Sequence, residues 1–172
     1  MNLNDDDFQL FSIPARFGQD RAGLDARWKE LQREVHPDRF AAQGASAQRI
    51  AMQWSVRINE AYQRLKDPVR RAAYLCELNG ASVDSESNTA MPGKFLMQQM
   101  EWREALDEAC DANSLEPLQA QVDAARLRAL SSLEWLIDEK GDFAAAANEV
   151  RALMFIERFA ADIEARFDQW GQ

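Results

Sequence analysis

Apolar side chains return every three or four positions along most of this chain, the period of a helix with one buried face. Leu24, Trp28, Leu31 and Val35 mark such a face over about 20–35, and Ile50, Trp54, Ile58, Ala61, Tyr62 and Leu65 mark another over about 47–65. Ahead of them, Phe8, Phe11 and Ile13 predict a short apolar helix or extended turn that Pro14 ends. Behind them, Asp67 and Pro68 open a helix through RRAAYLCEL with Gly80 as its stop. The period vanishes over 81–93, ASVDSESNTAMPG, a polar stretch expected to be a linker. It then resumes in three segments. The first, about 94–111, has two apolar faces: Phe95, Trp102, Leu106 and Ala109 turn inward, while Leu96, Met97 and Met100 form a shorter patch edged by Glu101, Glu104 and Glu108. The second carries Leu115, Leu118, Val122, Ala125, Ala129, Leu133 and Leu136 to about Lys140. The last carries Phe143, Ala146, Val150, Leu153, Ile156, Ala160, Ile163 and Phe167, leaving Phe155 off the main stripe. Expected N-caps are Asp20, Ser46, Asn113 (with Glu116 completing a capping box) and Asp142 after the Gly141 turn. The pattern predicts an all-α fold: a helical hairpin with short flanking helices over 1–80, a linker over 81–93, and an antiparallel three-helix bundle over 94–172.

Composition agrees with this and charge adds to it. An apolar fraction of 47% in 172 residues excludes disorder as the default, and seven Gly and five Pro amid abundant Ala, Leu, Glu, Gln and Arg favour helix. The opening MNLNDDD lacks a basic region followed by an apolar core, and no run approaches a membrane span, so a soluble cytoplasmic protein is expected. The net charge of −9 is uneven: residues 1–80 carry 12 Lys or Arg against 11 Asp or Glu, whereas 81–172 carry 8 against 18. The acidic half would repel a phosphate backbone and the other half lacks a long basic stripe, which argues against nucleic acid as a partner.

Catalytic and metal chemistry find little support. Cys76 and Cys110 stand far apart and neither belongs to a close pair, so with one histidine they make a poor metal cage; both are expected to be buried small apolar residues. No Gly-rich loop follows a strand and no nucleophile is visibly paired with His36, so neither a cofactor nor an enzymatic reaction is expected. Carboxylates four apart, such as Glu104 and Glu108, read as a solvated helical face.

The connection between the two long helices starts with His36, Pro37 and Asp38, followed by Arg39 and Phe40. Pro37 cannot continue a helix interior, and two antiparallel helices would present this tripeptide at one tip, away from their shared seam. Lys29 and Arg33, four apart with Arg27 on their flank, add a modest cationic surface that Arg39 extends, although such a face can also merely solvate a helix. A tripeptide of this kind can likewise be an ordinary helix stop. Its placement, together with Asn59, Glu60, Ala61 and Tyr62 in the next helix, resembles the J-domain, which carries His-Pro-Asp between its long helices and an N-x-A-Y element in its third. The resemblance implies that His36, Pro37, Asp38, Arg39, Arg27, Lys29 and Arg33 contact a heat-shock-70 class chaperone and stimulate its ATPase.

A J-domain, a short linker and an acidic three-helix bundle, in this order and size, resemble the iron–sulfur cluster assembly co-chaperones. The segment FLMQQMEWREALDEA, 95–109, is similar to the helix with which that family contacts the cluster scaffold protein. The resemblance implies scaffold contacts for Leu96, Met97, Met100, Glu101, Glu104 and Glu108, joined by Phe155. Two departures stand out: no N-terminal CxxC pairs occur, which matches the metal-free bacterial form, and Met100 stands where Leu is frequent. From the residues alone, Leu96, Met97 and Met100 could also be core in a wider bundle, and a J-protein of another client or an enzyme working through His36 remains an alternative.

Overall fold

A computed structural model describes residues 5–83 and 93–170. All its regular structure is helical, and the chain divides into two compact units, Met1–Leu75 and Cys76–Gln172. The division falls inside the fourth helix.

The first unit opens with α1 (Asp7–Phe11), where a capping box between Asp6 and Gln9 satisfies free N–H groups. Helix α2 (Arg21–Glu34) begins as expected at Asp20, whose carboxylate accepts from the Ala22 and Gly23 amides. Helix α3 (Ala45–Lys66) starts differently: Gly44, at φ +93°, makes the turn, and no side chain caps the helix. Ser46, the expected cap, is therefore already the second helical residue. Helix α4 (Pro68–Leu78) keeps the expected signals: the Asp67 carboxylate accepts from the Val69 and Arg70 amides, and Gly80, at φ +77°, ends the helix.

Leu24 and Leu31 of α2, with Val35 just past its end, bury against Ile58, Ala61, Tyr62 and Leu65 of α3, and α1 packs on both helices with Phe8, Leu10 and Phe11. At the tip end of α3 the buried position is Ala51, whereas Ile50, expected on the seam, is 52% exposed. A polar seam runs beside the apolar one. Trp28 stacks on Tyr62 at 4.8 Å and donates to Asn59, which also accepts from Gln32, and the Tyr62 hydroxyl donates to Asp25 at 2.8 Å. Asn59 and Tyr62 of the N-x-A-Y element thus fix the register of α3 on α2.

One buried charge was missed in the sequence. Asp7 is fully buried; its carboxylate meets Arg57 at 2.7 Å and Arg64 at 3.0 Å, and its amide donates to the Tyr74 hydroxyl.

The second unit holds α5 (Gly93–Glu108), α6 (Ala112–Glu134) and α7 (Phe143–Trp170). The capping box of α6 is made by Asp111 with Ser114, two residues before the expected Asn113 and Glu116, because Asp111 reaches the free amides first. Past Glu134 the chain widens into a π-helical turn, Trp135–Lys140. The widening keeps Ile137 in line with Leu133 as the last buried position and leaves Leu136, the expected one, half-buried. Gly141 and Asp142 then turn the chain, with the Asp142 carboxylate accepting from Ala145. In α7 the core residue is Phe159, not the neighbouring Ala160. Residues 84–92, most of the expected linker, lie outside the described residues, so the expected boundaries at 80 and 94 rest on the sequence.

Asp7→Ala is expected to destabilise the protein by about 3 kcal/mol, the lower end for breaking a buried pair, because both guanidinium groups keep some access to water. Urea unfolding of the mutant and the parent measures it.

Candidate functional site

The tip of the α2–α3 hairpin is built by proline. Pro37 restricts the residue before it to extended backbone, and His36 accordingly sits at ψ 126°. Pro37 itself takes the first position of a 3₁₀ segment, Pro37–Gln43, where its missing N–H costs nothing. The His36 side chain closes that segment by accepting the Asp38 amide at Nδ1, 3.3 Å away. No core residue comes from this segment: the His36 side chain is 59% exposed and that of Asp38 is 91% exposed. Arg39 folds back and donates to the Arg33 carbonyl at 3.1 Å, neutralising the free end of α2. Lys29 and Arg33 are exposed on α2. Arg27 differs from them: it is half-buried, ion-paired with Glu30 and bonded to the Phe11 carbonyl, so part of its work is to hold α1 on α2.

The second candidate surface is on α5. Trp102 is buried and stacks on Phe159 at 5.5 Å, as expected for the inward face, while Leu96, Met97 and Met100 are 47%, 65% and 71% exposed. Glu101, Glu104 and Glu108 are exposed beside them. The structure therefore excludes these three apolar residues from the core of the second unit. Phe155 is half-buried: Phe95 meets it edge-on at 5.7 Å, Phe159 stacks on it at 6.0 Å, and the Arg103 guanidinium lies 5.9 Å from its ring centre. Arg103 sits three residues after Met100 and seven after Leu96, one stripe of α5, which brings Phe155 to the edge of the patch.

Comparison with known proteins decides the family. The profile described as HSCB C-terminal oligomerisation domain matches residues 91–164. The chain is 49% identical over 162 residues to a co-chaperone protein HscB homolog of Bordetella parapertussis, covering 94% of this chain and 95% of the relative. A Burkholderia multivorans HscB homolog is 48% identical, with 98% of each covered. The chain belongs to the HscB co-chaperone family. The structure of HscB from Vibrio cholerae matches with a TM-score of 0.82 at 35% identity, covering 96% of this chain and 99% of that one. Human HscB matches at 0.89 and 26% identity, covering 96% of this chain and 84% of that one. The resemblance to the iron–sulfur cluster assembly co-chaperones thus holds over almost the whole chain.

In this HscB-family chain no described helix is long and apolar enough to cross a membrane, and no described His, Cys, Asp and Glu cluster could hold a metal ion. The two cysteines part ways. Cys76 is buried, and burial pushes its thiol up to about 11, whereas Cys110, expected to be buried, is exposed at the α5–α6 junction. An unpartnered cysteine loses its burial when a short junction turns it outward, which periodicity alone does not show. Iodoacetamide at pH 8 should label Cys110 in the native protein and reach Cys76 only after denaturation, as peptide mass mapping would report. Rapid native labelling of Cys76 would contradict the packing described.

Proposed function

We propose that this chain binds an iron–sulfur cluster scaffold protein through α5, brings it to a specialised heat-shock-70 class chaperone in the cytoplasm, and stimulates that chaperone's ATPase through the hairpin tip. The observation that carries the reading is the exposure of two chemically different surfaces in two separate compact units: a polar tip flanked by Lys29, Arg33 and Arg39, and an apolar patch of Leu96, Met97 and Met100 rimmed by glutamates. Neither surface contributes to a core, so each is free to be covered by a partner. The chaperone contacts fall to His36, Pro37, Asp38, Arg39, Lys29 and Arg33, with Arg27 at the margin. The scaffold contacts fall to Leu96, Met97, Met100, Glu101, Glu104 and Glu108, with Phe155 at the patch edge. The apolar residues would supply affinity, and the glutamates would select a basic face and speed encounter. The protein then acts by binding: holding client and chaperone on one chain raises the concentration of one at the other.

His36→Gln or Asp38→Asn should abolish stimulation of the chaperone's ATPase in a single-turnover assay while changing stability by no more than about 0.5 kcal/mol, as befits exposed side chains. Full stimulation by either variant would sink the chaperone half of the reading. Leu96→Ala with Met97→Ala should weaken calorimetric binding of the scaffold by tenfold or more, since burying each side chain at an interface is worth roughly 1.5–3 kcal/mol. Both side chains are exposed, so the thermal melt should hardly move. Phe155 is a less clean probe, because its ring also supports Phe95 and Phe159.

A further inference from the structure

A cavity of about 310 Å³ opens in the second unit beside the patch, walled by α5, α6 and α7. Its floor is made of short or apolar side chains: Ala125 and Ala129 of α6, Ala152 and Ile156 of α7, and Phe95 of α5. The alanines leave a trough that larger residues would fill. Phe95 links this trough to the patch, because the ring that lines the cavity also meets Phe155 edge-on, and Leu96 follows it directly in the chain. The volume is at the low end for ligand pockets and suits one long side chain better than a cofactor.

Two charges face the cavity, Glu149 of α7 and Arg128 of α6; α5 lines it with Phe95 and Gln98 and no charge among the described residues. Glu149 is half-buried, and no cation among the described residues pairs with it. Burial pushes its carboxyl above the ordinary carboxylate range, with no opposing attraction to lower it. Above that raised pKa the ionised form costs the fold stability, because the folded state holds the proton more tightly than the unfolded chain does. A residue kept where it weakens the fold is a candidate for work on a partner. Arg128 is exposed on the opposite wall and meets no carboxylate among the described residues; its charge opposes an incoming cation, but water screens it more than it screens the half-buried Glu149.

We propose that this cavity seats a single Lys or Arg side chain of the client protein, its stem on the alanine floor and its charged head against Glu149, a proposal that rests on the client-binding reading of α5. A long basic side chain matches the site in both its parts, since such residues lay an apolar stem on apolar surface and keep the charge at the end. The excess of acidic residues in 81–172 favours the same sign of partner. The patch would then supply apolar contact area, and Glu149 would set which residue of the client stands beside it.

The test titrates purified scaffold protein calorimetrically into the full chain and its variants, with thermal melts in parallel. Glu149→Gln keeps the shape and removes the charge. It should weaken binding about tenfold while its melting temperature at neutral pH stays level or rises. Arg128→Gln should leave binding unchanged or tighten it a few-fold. Wild-type affinity in Glu149→Gln, with binding lost in the Leu96→Ala, Met97→Ala variant, would overturn the cavity proposal and leave the client reading standing. Full binding by that double variant would overturn the client reading itself. Weaker binding by Arg128→Gln would mean that the cavity takes an anionic group, and a falling melt in Glu149→Gln would mean that the residue serves the fold; either result rules the proposal out.

Discussion

A single carboxylate ties the first unit together. Asp7 has no access to water, and a charge in that position is tolerable only if its partners are held in place. Two guanidinium groups from α3 do this, Arg57 and Arg64, and the Arg64 group also lies 4.6 Å from the Tyr74 ring centre in α4. The Asp7 amide donates to the hydroxyl of that tyrosine. Helices α3 and α4 are thereby fastened to the first residue of α1. Apolar packing alone would let a five-residue helix slide on its neighbours; the paired charge allows one register, in which Phe8, Leu10 and Phe11 fill the gap between α2 and α3. The orientation of the hairpin, and with it the position of its tip, follows from that constraint together with the Asp25, Asn59 and Tyr62 contacts along the seam.

The second unit solves a different problem. It presents apolar side chains to water without folding them in, and aromatic stacking does much of this. Trp102, Phe159, Phe155 and Phe95 run in succession between α5 and α7, from a buried end to a half-buried one. With α5 held by this ladder, Leu96, Met97 and Met100 are carried outward and cannot collapse onto α7. The exposed methionines suit such a surface because their unbranched chains adapt to the shape of whatever covers them.

Much of this was legible in the sequence wherever the determinant was local. Asp20, Asp67 with Pro68, Gly80 and Asp142 mark their helix ends as expected, since a cap needs only neighbours within a turn. Caps failed where two candidates competed: Gly44 pre-empted Ser46, and Asp111 pre-empted Asn113. Core positions failed by one residue where a large side chain drew attention from its neighbour, as with Ile50 over Ala51, or where the helix changed pitch, as with Leu136 and Ile137. Asp7 could not be read, because three consecutive aspartates look like solvated surface until two arginines some fifty residues later are known to face one of them. The tripeptide tip and the two faces of α5 were visible because their residues lie together in the chain. The support behind Phe155 was not, since it comes from another helix.

The hydrogen bond from the Asp38 amide to His36 fixes more than a turn. The contact uses Nδ1 as the acceptor and turns Nε2 away from the backbone that proline sets beside it. The outer nitrogen then faces outward on a side chain mostly open to solvent. An amide side chain could imitate either nitrogen, but it has neither the rigid separation between them nor the flat ring that joins them. The hairpin tip thus presents a flat ring with one nitrogen tied to the turn and the other directed to solvent, a shape with a direction and not merely a polar bump.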